Sequence, residues 1–329
     1  MKAGKISETV LKRSVLKQLH KTSDQIQQGP AVGADSAVFE VEAGQKVVLS
    51  MEPVTLGITE VGNRGVHKAL NNVTCMGAVP VGVMVSLLLP TSYSENQLRD
   101  LVHELDHACE KASGAVLGGH TEVIRGITEP IVTITGVGIA EDKAYCSSGN
   151  VKPGMDVIVT KWIGLEGTAL LAEEKEERLR ERYSQPFINK AKNFLEYISI
   201  QSEAAVAAKS GVGAMHDISQ GGIFAALWEM AESAGVGLEI DLKKIPIRQE
   251  TVEICEFFDV NPYKILSGGS LLMAAEDGNA LVRELEKAGI NAVIVGKTTD
   301  NNDRVLWCED ERRFLELPQT DELHKVMEE

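Results

Sequence analysis

Three stretches constrain this chain more than anything else in it. "KVVLSMEPV", "PVGVMVSLLLP" and "PIVTITGVGIA" are apolar at consecutive rather than alternate positions, so as strands they are hydrophobic on both faces. A sheet built from them must be covered on both sides. Its own helices cover one side in an α/β arrangement, and the other calls for a partner beyond them, which predicts a homodimer.

The helices are legible between the strands. "RGVHKALNNVTCMGAVP" reads as a helix ending at Gly77 before a proline. "SENQLRDLVHELDHACEKAS" is amphipathic, with Ser94 as N-cap and Leu98, Leu101, Val102, Leu105 and Ala108 on one face. Ahead of them, Ser7 to His20 has the apolar spacing of a helix. "AVLGG" ends a strand, and after "NVKPGMD" the alternation starts again. "DVIVTKWIG" is a strand, "EGTALLAEEKEERLRERY" and "PFINKAKNFLEYISIQSEAAVAAKS" are helical, and "GAMHDIS" is a short strand before the helix "GGIFAALWEMAESAG". "GLEIDL", "GGSLLMAA" and a last strand, "NAVIVGKTT", follow, with the helix "ALVRELEKAG" among them and a strand-like stretch at "VLWCED". A chain of 329 residues patterned this way divides into two α/β (α+β) halves, residues 1–150 and 151–329.

Charge and cysteine usage exclude several functions. A net charge of −15 argues against nucleic-acid and anionic-membrane partners, both of which need a cationic surface. Cys75, Cys109, Cys146, Cys255 and Cys308 show no zinc spacing and fit packed thiols in a reducing, cytoplasmic setting. The N-terminal stretch carries charges where a signal peptide is apolar, and no run reaches membrane-spanning length. "GKTT" at Gly296 to Thr299 lacks the earlier glycine of a P-loop, since Asn291 stands there. His103 and His107 in "HELDH" belong to a solvated helix face.

Four glycine-linked polar clusters remain in the first half. "GADSA" places Asp35 in a tight turn, and "SMEP" puts Glu52 at the C-terminal end of a strand, where open α/β sheets meet ligands. "LNNVTCMGAVP" stacks Asn71 and Asn72 on a helix; "GGHTE" holds Gly118, Gly119, His120 and Thr121 after a strand. Carboxylates with amide carbonyls suit Mg²⁺ together with substrate phosphates. Singly, each also has a structural reading: Asp35 an Asx-turn, Glu52 a surface acid, Asn71 a helix-interior hydrogen bonder, His120 a turn histidine.

In that order these motifs resemble the aminoimidazole ribonucleotide synthetase superfamily, which also includes selenophosphate synthetase, thiamine-monophosphate kinase and the E-type hydrogenase-maturation proteins. "KPGMDVIVTKWIGLEGTALLA", "MHDISQGGIFAALWEMAESAGVGLEI" and "IPIRQETVEICEFFDVNPYKILSGGSLLMAA" are similar to the hydrogenase-maturation branch. The resemblance implies a two-domain fold that dimerises through its N-terminal domains, with ATP and Mg²⁺ along that interface, and phosphorylation of an oxygen of a small-molecule, carboxamide or protein acceptor. Asp35 and Glu52 would hold the metal. Asp35, Asn71, Asn72, Gly118, Gly119 and Thr121 would surround the nucleotide. Gly164, Gly167, Thr168, Gly221 and Gly222 would present helix N-termini to an anion, and Asp217 and His120 would be catalytic. "GGHTE" would then be the end of a strand at a nucleotide site.

Three positions depart from the family's pattern: many relatives carry Asp where this chain has Glu52, Asn72 and His120. Two further readings follow, a nucleotide-sensing or scaffolding dimer without turnover and, more weakly, a thiamine-monophosphate kinase. The chain ends "DELHKVMEE", where the maturation proteins end in a carbamoyl-accepting cysteine, so the acceptor is expected to be a diffusible molecule or a partner's side chain.

Overall fold

The computed structural model describes residues 4–20, 26–32, 36–141 and 146–327. The chain forms two compact units, Met1–Thr74 with Ala78–Lys143 and Cys75–Gly77 with Ala144–Glu329. Among the described residues no helix is long and apolar enough to cross a membrane.

In the first unit, β1 (Gly4–Lys5) precedes α1 (Glu8–Val10), which continues as a π turn over Leu11–Val15 and a 3₁₀ turn over Leu16–Gln18. A small ribbon pairs β2 (Ile26–Gln28) with β3 (Val38–Phe39). There follow β4 (Gln45–Pro53), α2 (Val61–Cys75), β5 (Val79–Pro90), α3 (Glu95–Lys111), β6 (Ala115–Ile124) and β7 (Ile131–Glu141). The main sheet has the order β1-β6-β5-β7-β4, with β5 and β6 parallel and its other pairs antiparallel. Helix α3 starts where Ser94 and Gln97 form a reciprocal capping box. Val66 and Leu70 of α2, with Leu98, Leu101 and Leu105 of α3, bury one face of the sheet against Val85, Leu87 and Ile134. On the opposite face Leu49, Met51 and Val79 are 65%, 68% and 71% exposed.

In the second unit a seven-stranded sheet runs β14-β13-β10-β12-β8-β11-β9. Its strands are β8 (Asp156–Thr160), β9 (Ala214–Ile218), β10 (Gly237–Asp241), β11 (Ser270–Ala275), β12 (Ala292–Thr299), β13 (Arg304–Cys308) and β14 (Glu311–Phe314). The helices are α4 (Leu165–Glu174), α5 (Glu176–Leu179), α6 (Gln185–Lys192), α7 (Gln201–Lys209), α8 (Gly222–Ala234), α9 (Gln249–Phe257), α10 (Gly278–Lys287) and α11 (His324–Met327). Two expectations are corrected. The charged helix after Gly167 breaks at Lys175, because α4 is buried at every position from Leu165 to Ala172 and the run of acids and bases that follows must turn to solvent. The strand after Asn291 is not the last, since β13 and β14 extend the sheet beyond β10.

Candidate functional site

Helix α2 carries most of the buried polar residues of the first unit among the described residues: Arg64, His67, Lys68, Asn71 and Thr74. Asn72 donates from Nδ2 to Glu52 Oε1 at 2.6 Å and to Ser50 Oγ at 3.2 Å, joining the helix to the edge strand β4. Asn71 is fully buried beside it. Arg64, one turn into the helix, donates to the carbonyls of Leu56, Gly57 at 3.4 Å and Thr59 at 3.1 Å, wrapping the loop that leads into α2 around its guanidinium. His67 and Lys68 are buried on the same helix. Asp35 lies outside the described residues.

Strand register separates the remaining first-half residues from this cluster. Glu52 pairs with Ile134, which pairs with Val85, opposite Gly119. Pro53, Thr133, Ser86 and His120 form the next row. Successive residues of a strand point to opposite faces, so Glu52 turns toward the helix-covered side and His120 toward the open one. There His120 Nε2 meets Glu122 Oε2 at 3.1 Å. "GGHTE" is therefore the interior of β6 and not a strand end: pairing with β5 continues through Ile124. Gly118 packs on the Met84 side chain, and a side chain at Gly119 would place its Cβ 1.9 Å from the Val85 carbonyl oxygen. The glycines serve the approach of two strands.

In the second unit the helix starts marked by glycine are already engaged. Gly164 is left-handed, and its N–H donates to Ser267 Oγ at 2.8 Å; Gly167 N–H donates to Leu266 O at 2.8 Å. Thr168 is buried and donates to Thr251 Oγ1 at 2.9 Å. At α8, Gly221 N–H donates to Asp321 Oδ2 at 2.7 Å and Gly222 N–H to Ser219 O at 3.1 Å. The N–H groups of these four glycines are thus taken by oxygens of the chain itself.

Asp217 is buried on β9. Sequence reading missed Lys161, directly after β8 in a left-handed conformation with φ 52°. Its ammonium meets Glu203 Oε1 at 2.6 Å, Tyr197 O at 2.8 Å and Ser199 O at 2.7 Å. Burial holds the lysine below its usual range, while Glu203 and Asp217 favour the charged form. A lysine at a strand's C-terminal end was the signal that could have found it.

Residues 33–140 match the AIR synthase related protein N-terminal domain, and residues 152–309 match the C-terminal domain of the same family. The chain belongs to the AIR synthase-related family. Within it, the chain is 28% identical to a hydrogenase expression/formation protein of Methanocaldococcus jannaschii, over 98% of this chain and 97% of that one. It is 25% identical to a carbamoyl dehydratase of Rhizobium leguminosarum over 80% of this chain and 76% of the relative. A solved hydrogenase maturation protein in complex with ATP has the same fold, with TM-score 0.80, 16% identity and 96% of each chain covered. In this AIR synthase-related protein, no three His, Cys, Asp or Glu side chains come together among the described residues as a metal-binding group.

Proposed function

We propose that this AIR synthase-related protein is an ATP-dependent enzyme that phosphorylates an oxygen of a small molecule, a carboxamide or a partner protein's side chain. The observation that carries the reading is that relatives named as hydrogenase-maturation proteins and a carbamoyl dehydratase align along both units, not one. The same fold is solved with ATP in a maturation protein. When bound, ATP supplies a phosphoryl group that turns an oxygen into a leaving group.

In this reading Asn71, Asn72, Gly118, Gly119 and Thr121 line the nucleotide, and Glu52 with Asp35 supplies the carboxylates for Mg²⁺. Glu52 is a hard carboxylate donor of the kind Mg²⁺ takes, and Asn72 donates to its Oε1. His120, which meets Glu122 on the open face of the sheet, opposite Glu52, is a proton-transfer candidate on that face. Gly164, Gly167, Thr168, Gly221 and Gly222 hold the helix starts tightly packed. The protein works in a reducing cytoplasm as a homodimer covering the open face of the first sheet.

None of the five cysteines serves as a carbamoyl carrier. Burial pushes the thiols of Cys75, Cys109 and Cys146 up and that of Cys255 to about 12, which suppresses the nucleophilic thiolate. Cys308 lies within β13.

A sensing or scaffolding dimer without turnover is the second reading. It is favoured by the hydrogen bond from the Asn72 amide to Glu52, which competes with a metal for the carboxylate. Thermal unfolding with Mg²⁺-ATP, paired with a phosphate-release assay on carboxamide acceptors, tests both. A ligand that binds only the native state stabilises it by about 2.7 kcal/mol at a hundredfold excess over Kd, and Asp35→Ala is expected to remove most of the shift. A shift without turnover selects the sensor. No shift at millimolar Mg²⁺-ATP removes nucleotide binding altogether.

A further inference from the structure

We infer that His103 and His107 form an open site for a divalent transition-metal ion on the solvent face of α3, independent of the nucleotide reading above. The two imidazoles stand four residues apart within the helix Glu95–Lys111, and side chains at that spacing are neighbours on consecutive turns. Their ring centroids are 6.5 Å apart, with the planes tilted by 59°. A metal takes an imidazole nitrogen at about 2.0–2.1 Å, so the rings close on a shared ion by rotation of two side chains, with the helix backbone unchanged. Both residues are exposed, the His107 side chain by 54%, so that rotation takes place in solvent.

A carboxylate next to the pair selects the ligating nitrogen. His107 Nδ1 stands 3.7 Å from Glu110 Oε2, one turn further along the same stripe. Metal-bound histidines give their second ring N–H to such a carboxylate, which orients the ring and raises the basicity of the ligating nitrogen. With Glu110 on the Nδ1 side, Nε2 is left for the ion. The charge around the pair attracts a cation, since from Asn96 to Glu110 the helix carries Asp100, Glu104, Asp106 and Glu110 against Arg99. Imidazole nitrogens select Zn²⁺, Ni²⁺ or Cu²⁺ over Mg²⁺, which takes oxygen. Two protein ligands leave the other coordination positions to water, so the site is open, unlike the closed four-ligand sites of structural zinc. Helix α3 packs on the covered side of the first sheet, and a second copy on the open side would leave the histidines accessible.

Calorimetric titration of Zn²⁺ and of Ni²⁺ into the wild type, His103→Gln, His107→Gln and Glu110→Gln tests the site, in excess Mg²⁺ to fill oxygen sites and with each protein also melted without metal. Expected is a loss of at least tenfold in affinity, at one site per chain, in either histidine variant. A smaller loss is expected in Glu110→Gln, reversed in Glu110→Asp, and the melting temperature without metal should match wild type throughout. If either histidine variant binds both ions as wild type does, or if wild type binds neither ion in the presence of Mg²⁺, the inference is overturned. Unchanged affinity in Glu110→Gln overturns the role of the carboxylate. His103→Asn and His107→Asn supply the same comparison where a glutamine variant melts lower than wild type.

Discussion

Gly119 shows how one missing side chain sets the local structure. Strands β5 and β6 approach so closely there that a Cβ would lie 1.9 Å from the Val85 carbonyl oxygen, a distance that only a shift of one strand relieves. Such overpacking costs about 1–3 kcal/mol. Gly119→Ala is thus expected to lower the unfolding free energy by that amount, read as a lower urea midpoint with an unchanged slope. Gly149 is the matched control, because a Cβ there would meet no atom beyond its chain neighbours closer than 3.7 Å. Gly149→Ala should stay within about 0.5 kcal/mol of wild type. Equal effects of the two substitutions would refute the close-approach account. The glycine pair was legible as a place where backbone comes near something. That the something is a neighbouring strand was not, because nothing local in "GGHTE" says what lies across from it.

At the scale of elements, the N-terminal helical segment is pinned rather than packed by periodicity alone. Val10, Val15 and Leu19 all reach the first unit's core, and the five-residue step from Val10 to Val15 coincides with the π turn, whose i→i+5 bonding stacks such positions. Arg13 and Ser14 then hold Glu95 on α3, Ser14 Oγ at 2.6 Å, and His20 donates its backbone N–H to Asp106 at 3.0 Å. The hydrogen bonds from Arg13 and Ser14 draw Glu95 from the usual 4.5 to about 2. A depressed carboxylate stabilises the folded attachment above its unfolded value and loses that contribution as pH falls through the folded one. The tie is therefore full above about pH 4.5 and lost toward pH 2. Amide exchange over Leu11–Val15 is expected to accelerate across that window, and Glu95→Gln should make exchange fast and flat with pH. A wild-type rate that does not change between pH 5 and 2, once corrected for intrinsic exchange, refutes the tie.

For the whole molecule, the decisive feature is the open face of the first sheet. Leu49, Met51, Val79 and Ile131 lie exposed on its strands, and clustered exposed apolar residues mark a surface that meets a partner. A second copy covering it predicts a dimer by light scattering at micromolar concentration, and Leu49→Glu with Met51→Glu should give a folded monomer, because charges facing each other across an apolar contact are left without water. A monodisperse wild-type monomer refutes the dimer.

The alternation of strands and helices in both halves, the cap at Ser94 and the two-faced apolar strands of the first half are properties of the sequence by itself, whereas β1, the β2–β3 ribbon, α9 and β14 were not read from it. Each of the former depends on residues a few positions apart, through backbone hydrogen bonding and side-chain period. What only the tertiary structure decided is where the polar residues point and what meets them. Strand register turns Glu52 and His120 to opposite faces, and a slip of one residue would reverse both. Ser267 and Asp321, far along the chain, take the N–H groups of Gly164 and Gly221. Lys68, which stands opposite the apolar stripe of α2 and by period alone belongs to a solvated face, is buried. These outcomes follow from which distant segments pack together, and the local pattern around a residue carries no record of that.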